Sequence, residues 1–276
     1  MKWISMLYAQ NNPHYGFDMQ IVIPLTGLGS RFKAAGYKKL KPSIEVHGKP
    51  IINWVTKMFD PDQEKIIFIC QKTHAEKLSY LLKDLKEASP NSEIVLIDKW
   101  KKRGPVFDIL LAKEHISDDS KTLVSYCDYF MDWDYPKYKR DLKRLDPDGS
   151  IPCYTGFHPH LLHKKNLYAT CKVDKSNYLE LILEKNQFNT DKMKDYHSPG
   201  AYYFKSGKIL KKYCQQMIDA KDSINNEYYA SLPFNYMVKD GLKVWCPPNI
   251  NYFCQWGTPE DLNEYLYWIN SIKNFT

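Results

Sequence analysis

The sequence lacks any long hydrophobic run. None of its 276 residues falls in a stretch that approaches the roughly 18 apolar residues needed for a membrane-spanning helix, and the mean hydropathy is negative. Residues 1–18 have one lysine, a broken apolar stretch and no small-residue cleavage site, which is unlike a secretory signal peptide. We therefore expect no membrane partner and a cytoplasmic location.

Cysteine pairs at metal-binding spacing are also missing. The seven cysteines are odd in number, scattered along the chain and without a C-x-x-C pair: Cys70, Cys127, Cys153, Cys171, Cys214, Cys246 and Cys254. This pattern argues against a disulfide framework and against a zinc site, and it favours a reducing compartment.

Nucleic-acid-binding signals are absent as well. The chain has no arginine-rich tract, no zinc-finger spacing and no aromatic RNA-binding motif. Its formal net charge of +7 arises from 39 basic residues that are interleaved with 32 acidic ones. Because this pattern is typical of a solvated lysine-rich surface, we expect no nucleic-acid partner. A phosphorylated small substrate would use the same excess charge locally.

No internal repeat and no low-complexity linker divides the chain, so we predict one domain over residues 19–276. Residues 1–18 precede the first strand pattern and are interpreted as an extension outside this fold. Four apolar, β-branched runs are typical of strands buried in a parallel sheet: 20–24, 65–70, 93–97 and 122–127. Helical patterns alternate with them at 50–59, 75–88 and 105–116. This alternation predicts βαβ crossovers and a three-layer α/β domain.

The second half of the chain has a different pattern of predicted secondary structure. Short strand patterns separated by turns predict a mixed sheet, at 151–155, 169–173, 179–183 and 200–204. The chain closes with a helix for which Thr258 is the expected N-cap and Pro259 the first residue.

The stretch 24–42, PLTGLGSRFKAAGYKKLKP, combines glycines, an arginine and several lysines after a strand pattern. It lacks the G-x-G-x-x-G dinucleotide fingerprint, because Phe32 stands where a glycine is needed. It lacks a Walker A motif, because Ser30-Arg31 does not supply G-K-[ST]. Two interpretations stay open: backbone N–H groups that bind an anion, with Arg31 and Lys41 as clamps, or an ordinary glycine turn.

Several segments occur in an order that is typical of one enzyme family. IVIPLTGLGSRF and KLKPSIEVHGKPII follow the signature G-x-G-[ST]-R-[FM], then K-P before a second G-K-P-[ILM]. The later segments are GPVFDILLA (104–112), SYCD (125–128), ILEKN (182–186), SPGAYYF (198–204) and WGTPEDL (256–262). From Met19 onward the chain thus resembles the nucleotidylyltransferases that activate sugar phosphates. The resemblance implies a Rossmann-like, GT-A-like αβα fold with a mostly parallel central sheet and a smaller mixed sheet on the acceptor side.

The resemblance also implies a reaction. An acceptor phosphate attacks the α-phosphorus of a nucleoside triphosphate, and pyrophosphate leaves. The nucleophile is already an anion, so catalysis needs positioning and charge neutralisation rather than a general base. Arg31 is expected to hold the triphosphate, and Lys41 to bridge the donor and acceptor phosphates. Asp128 matches the family's ligand for Mg²⁺, with Mn²⁺ as an alternative.

The same resemblance assigns the substrate contacts. Glu184 and Lys185 match the pair that grips the acceptor, with Lys185 on its phosphate. Most of the expected nucleotide-binding residues lie in the segment 25–30, called the glycine loop below: Leu25, Thr26, Gly27, Gly29 and Ser30. Gly104 is the remaining one.

Two departures from the family pattern affect these expectations. Gln255 stands where many members have an aspartate as second metal ligand, and a neutral amide oxygen is a weaker Mg²⁺ ligand. Either Asp128 and the phosphates hold the metal alone, or another acid such as Asp132 contributes. The segment KWKKRGPVFD also lacks the glutamine of many hexose-phosphate enzymes, so base and acceptor preferences can differ.

The loop YTGFHPHLLHKKN holds three histidines, His158, His160 and His163. Their proximity suggests a metal site, but a substrate-contacting loop is the favoured interpretation, and a polar surface is the simplest one.

In its overall sequence pattern the chain resembles the branch of capsule-biosynthesis enzymes that includes the CTP:phosphoglutamine cytidylyltransferases. CTP and L-glutamine phosphate are therefore the expected substrates. A uridylyl- or thymidylyltransferase for a hexose 1-phosphate is the alternative enzyme. A catalytically inactive nucleotide-binding relative is the alternative from another class, and assembly into a homo-oligomer stays open.

Overall fold

The computed structural model describes residues 17–60, 62–98 and 101–273. The strands are β1 (Met19–Pro24), β2 (Glu45–Val46), β3 (Lys49–Pro50), β4 (Glu64–Gln71), β5 (Glu93–Ile97), β6 (Thr122–Ser125), β7 (Tyr129–Trp133), β8 (Gly149–Ser150), β9 (Thr170–Val173), β10 (Leu179–Leu183), β11 (Tyr196–His197), β12 (Ala201–Phe204), β13 (Val244–Trp245) and β14 (Ile250–Gln255). The α-helices are α1 (Ser30–Ala34), α2 (Ile51–Thr56), α3 (Lys72–Lys77), α4 (Ser79–Ala88), α5 (Pro105–Leu111), α6 (Tyr135–Leu145), α7 (Gly207–Asp219), α8 (Pro233–Lys239) and α9 (Pro259–Lys273).

The central sheet has seven strands in the order β13-β8-β12-β6-β1-β4-β5. Strands β6, β1, β4 and β5 are parallel, with Val22 of β1 opposite Ile67 on one side and Val124 on the other. Strand β12 runs antiparallel to both of its neighbours. The predicted three-layer α/β architecture with a mostly parallel central sheet is therefore confirmed.

Helices cover both faces of this sheet. Successive side chains of a strand point to opposite faces, so one strand contributes to both cores. Ile21 and Ile23 of β1 enter one core with apolar residues of α2, α4 and α6. Val22 enters a second core with residues of α5, α7 and α8. Burial on both faces accounts for the continuous apolar runs of β1 and β4.

Three smaller sheets accompany the central one in the described residues, and one of them is the antiparallel pair of β2 and β3. Strands β10, β9 and β11 form a sheet whose pairings are all antiparallel, where the sequence predicted a mixed one. Strands β14 and β7 form an antiparallel pair in which Gln255 lies opposite Tyr129. That register brings the end of β14 beside the residue that precedes β7.

Most predicted elements are confirmed, with two differences. The pattern at 75–88 is interrupted at Leu78, whose backbone is non-helical, so it divides into α3 and α4. The strand predicted at 151–155 is wrong. Its backbone donors go to separate partners, from Ile151 to Trp245 and from Tyr154 to His197, so no single ladder forms.

At the amino-terminal end, the predicted extension 1–18 lies outside the described residues except for Phe17 and Asp18. The Asp18 amide donates a hydrogen bond to the Gln63 carbonyl at 2.9 Å. At the other end, Thr258 caps α9 as predicted, because its hydroxyl oxygen accepts from the Asp261 amide at 3.1 Å. Within the described part of the chain, every helix is too short or too polar to cross a membrane.

Candidate active site

The main cleft lies at the carboxyl ends of β1 and β6. The chain runs from β1 outward through β4 to β5, and then returns to β6 on the other side of β1. This reversal separates the loops after β1 and β6, and ligands of open α/β sheets bind at such a point. The cleft encloses about 360 Å³. It is lined by residues from segments 24–32, 102–108, 126–128 and 227–229, together with Lys41 and Gly257.

The glycine loop lines this cleft. Gly27 and Ser30 are exposed, and Gly29 has a φ of 62°, in the left-handed region that favours glycine. Arg31 follows at the start of α1 and is also exposed. Gly27, Gly29, Ser30 and Arg31, which the sequence analysis singled out, thus all line one cleft.

Thr26 also lines the cleft, but its hydroxyl is already engaged. It donates a hydrogen bond to Asp108, which is buried near the start of α5. The Thr26 carbonyl accepts from the side chain of Gln71 at the end of β4. Thr26 thus holds the glycine loop to two neighbouring elements. Asp108 lies within the segment GPVFDILLA, although the sequence did not identify it as a separate site residue.

Lys41 and Asp128 meet at the centre of the site. Lys41 begins a 3₁₀ turn, Lys41–Ser43, and its Nζ donates to Asp128 Oδ2 at 2.8 Å. The two side chains are 21% and 20% exposed, so the pair is partly shielded from water. Burial acts to lower the pKa of Lys41, but the Asp128 carboxylate outweighs it, and the pKa lies above its usual value. Lys41 is therefore a protonated cation in the cleft.

Gln255 lies beside the same carboxylate. A Cβ added at Gly257 would lie 2.4 Å from Gln255 Nε2 and 3.0 Å from Asp128 Oδ2, so both side chains converge over this glycine. The Trp256 amide donates to the Asp128 carbonyl at 2.9 Å. The pairing of β7 with β14 thus brings together the predicted metal ligand and the neutral residue that the sequence singled out. A side chain at position 257 would therefore displace the end of the Gln255 side chain.

Gly104 closes another side of the cleft. Its φ is 89°, and an added Cβ would lie 2.6 Å from the Tyr228 nitrogen and 2.7 Å from its carbonyl oxygen. The Tyr228 amide donates to the Arg103 carbonyl at 2.7 Å. Gly104 therefore allows the segment 227–229 to approach the start of α5. The sequence predicted Gly104 but not its partner segment.

The expected acceptor pair follows β10. Glu184 accepts a hydrogen bond from the Ser231 hydroxyl at 2.6 Å. Burial raises the pKa of Glu184 to about 7, despite that bond and the nearby Lys185. Lys185 is exposed, and its Nζ donates to the hydroxyl of Tyr229, which lines the cleft. Neither residue of the predicted acceptor pair lines the cleft itself, and Lys185 reaches its edge through Tyr229.

Comparison with known proteins is consistent with this geometry. The family model described as nucleotidyl transferase matches residues 21–267. The chain belongs to the nucleotidyl transferase family. A search of curated protein sequences gave no significant match.

Solved structures share the fold at low sequence identity. The nucleoside-diphosphate-sugar pyrophosphorylase from Vibrio cholerae RC9 is 19% identical, with a TM-score of 0.72 over 90% of this chain and 99% of that one. A putative glucose-1-phosphate thymidylyltransferase from Bacillus anthracis is 17% identical, with a TM-score of 0.68 over 89% and 93%. The inositol-1-phosphate CTP transferase from T. maritima is 14% identical, with a TM-score of 0.65 over 93% and 96%. The Rossmann-like nucleotidyltransferase fold is thereby confirmed.

Two residues considered from sequence do not reach the cleft. The Leu25 side chain is buried in the core, and its amide donates to the Ile69 carbonyl at 2.8 Å. Any contact between Leu25 and a nucleotide would therefore come from its backbone. Asp132 lies on β7 in a separate groove, where its carboxylate accepts from Asn251 at 3.3 Å. Asp132 is thus not the acid that compensates for Gln255.

The three predicted histidines do not form one site. His158 and His160 are buried, whereas His163 is exposed. His160 Nε2 lies 2.9 Å from the Tyr154 hydroxyl, and burial among these rings lowers the pKa of His160 to about 3. The ring of Phe253 packs on both, 4.7 Å from Tyr154 and 5.1 Å from His160 between centroids. His160 is thus neutral and buried in an aromatic cluster, so the alternative interpretation as polar surface is wrong for it.

Three cysteines that are distant in sequence converge away from the cleft. The Sγ atoms of Cys153, Cys171 and Cys246 all lie within 4.8 Å of one another. All three are buried in the second core, among apolar residues such as Ile151 and Ile182. Among the described residues this is the one grouping with metal-binding spacing, and it offers three ligands where structural zinc takes four. The three small thiol side chains fill space in the apolar core where their segments meet, and this packing explains the grouping.

Proposed function

We propose that this protein transfers a nucleoside monophosphate from a nucleoside triphosphate to a phosphorylated small acceptor and releases pyrophosphate. The observation that carries the proposal is the contact between Lys41 and Asp128, at 2.8 Å, in the cleft formed by the glycine loop. Arg31 lines the same cleft. Two cations and a carboxylate around a glycine loop suit a site that binds several phosphates.

In the proposed reaction, an oxygen of the acceptor phosphate forms a bond with the α-phosphorus of the triphosphate. The bond from the α-phosphorus to the bridging oxygen breaks, and pyrophosphate leaves with the electron pair. Because the nucleophile is already anionic, no proton must be removed. Lys41 neutralises charge between the two phosphates, and Arg31 orients the triphosphate with its planar group of donors.

A divalent cation, Mg²⁺ or alternatively Mn²⁺, fits the donors present. The Asp128 carboxylate and the Gln255 amide converge over Gly257, and Mg²⁺ commonly binds through one or two protein oxygens together with substrate phosphates. Asp128 would be the principal ligand. When bound, the cation would supply neutralisation of phosphate charge, which Lys41 and Arg31 supply in part themselves.

On the acceptor side, Glu184 and Lys185 are proposed to bind the acceptor, with Lys185 on its phosphate. We further propose CTP and L-glutamine phosphate as the substrates, in modification of a capsular polysaccharide. Support for this finer assignment comes from the sequence resemblance to capsule-biosynthesis cytidylyltransferases. The inositol-1-phosphate CTP transferase that shares the fold uses the same nucleotide, according to its name.

Pyrophosphate release tests the proposal directly. The full-length protein with Mg²⁺ should be assayed with CTP, UTP, dTTP, ATP and GTP, each paired with L-glutamine phosphate or with hexose 1-phosphates. Release that requires both substrates and is fastest with CTP and L-glutamine phosphate is the expected result. Preference for UTP or dTTP with a hexose 1-phosphate would indicate the alternative enzyme. Nucleotide binding without release in any pair would indicate an inactive relative.

A further inference from the structure

We propose that Tyr229 is a positioning residue, which holds the ammonium group of Lys185 at the edge of the cleft for an acceptor phosphate. This inference rests on the proposed function, in which Lys185 binds that phosphate. Tyr229 lies in the segment 227–231, which no motif of the sequence identified, and its side chain lines the cleft.

Two contacts join Lys185 to this tyrosine. Lys185 Nζ donates a hydrogen bond to the Tyr229 hydroxyl, and it also lies 4.5 Å from the centroid of the ring. A cation over an aromatic face is attracted by the ring quadrupole. Lys185 has a φ of 56°, in the left-handed region, and its amide donates to the Tyr168 carbonyl at 3.1 Å. Both the backbone and the side chain of this exposed lysine are therefore held in one orientation.

The direction of the hydrogen bonds is set by Glu227. The Tyr229 hydroxyl donates to Glu227 Oε2 at 2.8 Å, so it is left to accept from Lys185. Burial and the Glu227 carboxylate raise the pKa of Tyr229, which keeps the hydroxyl protonated. The other oxygen of Glu227 pairs with Lys102 at 3.5 Å. The series Lys102–Glu227–Tyr229–Lys185 thus runs along the wall of the cleft.

This arrangement leaves Lys185 available to a ligand. A neutral phenol does not cancel the ammonium charge, and it occupies one of the three donors of the ammonium group. Two donors remain for a phosphate. A carboxylate in the same position would instead compete with the phosphate as a counter-ion, so the choice of tyrosine favours a positioning role.

Steady-state kinetics of Tyr229→Phe provides the first test, with the substrates that the pyrophosphate assay identifies. Loss of the hydroxyl should raise the acceptor KM roughly tenfold, with the nucleotide KM and kcat nearly unchanged, since Lys185 binds the phosphate in the ground state and transition state alike. Tyr236→Phe is the matched control, because the Tyr236 hydroxyl donates to the exposed Asp222 and neither residue lines the cleft. An unchanged or lower acceptor KM in Tyr229→Phe would overturn the proposal.

Chemical labelling of lysines provides a second readout that needs no activity. The rate at which an amine-specific acylating reagent modifies Lys185 should rise several-fold in Tyr229→Phe and more in Tyr229→Leu, which also lacks the ring. The exposed Lys175 is the internal reference. A rise in labelling without any pyrophosphate release would support the contact while the proposed function fails. Equal labelling of Lys185 in wild type and both variants would overturn the proposal, whatever the kinetics show.

Discussion

The nucleotide side and the acceptor side of the cleft hold their lysines in different ways. Lys41 contacts a carboxylate, Asp128, in a partly buried ion pair. Lys185 contacts the phenol of Tyr229 and stays exposed. An ion pair compensates the lysine charge within the protein, whereas a phenol leaves that charge for a ligand. In the proposed function, Lys41 is therefore organised together with the proposed metal ligand, and Lys185 for the proposed acceptor alone.

The two sides also differ in how the chain builds them. The glycine loop, Arg31 and Lys41 come from one short stretch after β1. The acceptor side combines the turn after β10 with the segment 227–231, and the Ala230 amide donates to the Tyr126 hydroxyl at 3.2 Å across the cleft wall. Short motifs identified the contiguous stretch and the segment ILEKN, but no motif identified the segment 227–231 that packs against it.

The largest expected effect is on the nucleotide side. Asp128→Asn should lower Mg²⁺-dependent turnover below a tenth of wild type, because an amide oxygen is a poor ligand for this cation. The thermal midpoint should change little, since an asparagine oxygen still accepts from Lys41. Asp132→Asn, on β7 but outside the cleft, is the control and should keep full turnover. Turnover above a tenth in Asp128→Asn would contradict the assignment of the metal ligand.

Lys41→Ala should lower kcat by roughly 10²–10³, the effect of about 3–4 kcal/mol when one donor to developing charge is lost. Arg31→Ala should also raise the nucleotide KM, because the phosphates are already charged in the ground state. The double variant should lose less than the product of the single losses, since the residues share one charge cluster. Lys39→Ala is the control, because Lys39 pairs with Glu45 on the surface. Normal turnover of Lys41→Ala would contradict the phosphate-binding role and would favour the interpretation of the glycine loop as an ordinary turn.

Gln255→Asp sharpens the comparison by adding a second acid next to Asp128. Two adjacent carboxylates repel each other, so the thermal midpoint without metal should fall and should recover when Mg²⁺ is added. The Mg²⁺ concentration for half-maximal turnover should decrease. Gln255→Asn shortens the side chain equally without adding charge and is the control. Equal losses in both variants, with no recovery by Mg²⁺, would show that Gln255 is structural.

The smallest expected effect is on the acceptor side and depends on pH. Burial raises the pKa of Glu184 to about 7 from an ordinary 4.5, so the folded protein retains a proton that the unfolded chain loses between these values. Stability from this group therefore falls as pH rises from 4.5 to 7. Glu184→Gln should raise the thermal midpoint at pH 8 by about 2–4 °C, the effect of roughly 1 kcal/mol, and raise it less at pH 5.

Thermal scans of wild type and Glu184→Gln at the two pH values measure this difference. Glu180→Gln is the control, because Glu180 is exposed on β10 and pairs with Lys172. The same gain at pH 5 and pH 8 would contradict the shifted pKa of Glu184.

Sequence patterns predicted most of the central sheet because its strands are buried on both faces. The run QIVIP, for example, lies within β1, whose six residues are all buried. The predicted strand at 151–155 was wrong because its hydrogen-bond donors are divided between partners from different parts of the chain. His160 was interpreted as a loop residue because nothing in its local sequence reveals the ring of Phe253 that packs on it.

The sequence by itself determined the fold class and identified the glycine loop and the candidate residues Arg31, Lys41 and Asp128, since each belongs to a short motif of the family that the chain resembles. Only the tertiary structure showed that Lys41 bonds to Asp128, that Gln255 lies beside that carboxylate and that Tyr229 contacts Lys185. The paired residues are 87 positions apart for Lys41 and Asp128, 127 for Gln255 and Asp128, and 44 for Lys185 and Tyr229. Hydrogen bonds and charge pairs act over a few ångströms in space, and separation along the chain carries no information about that distance.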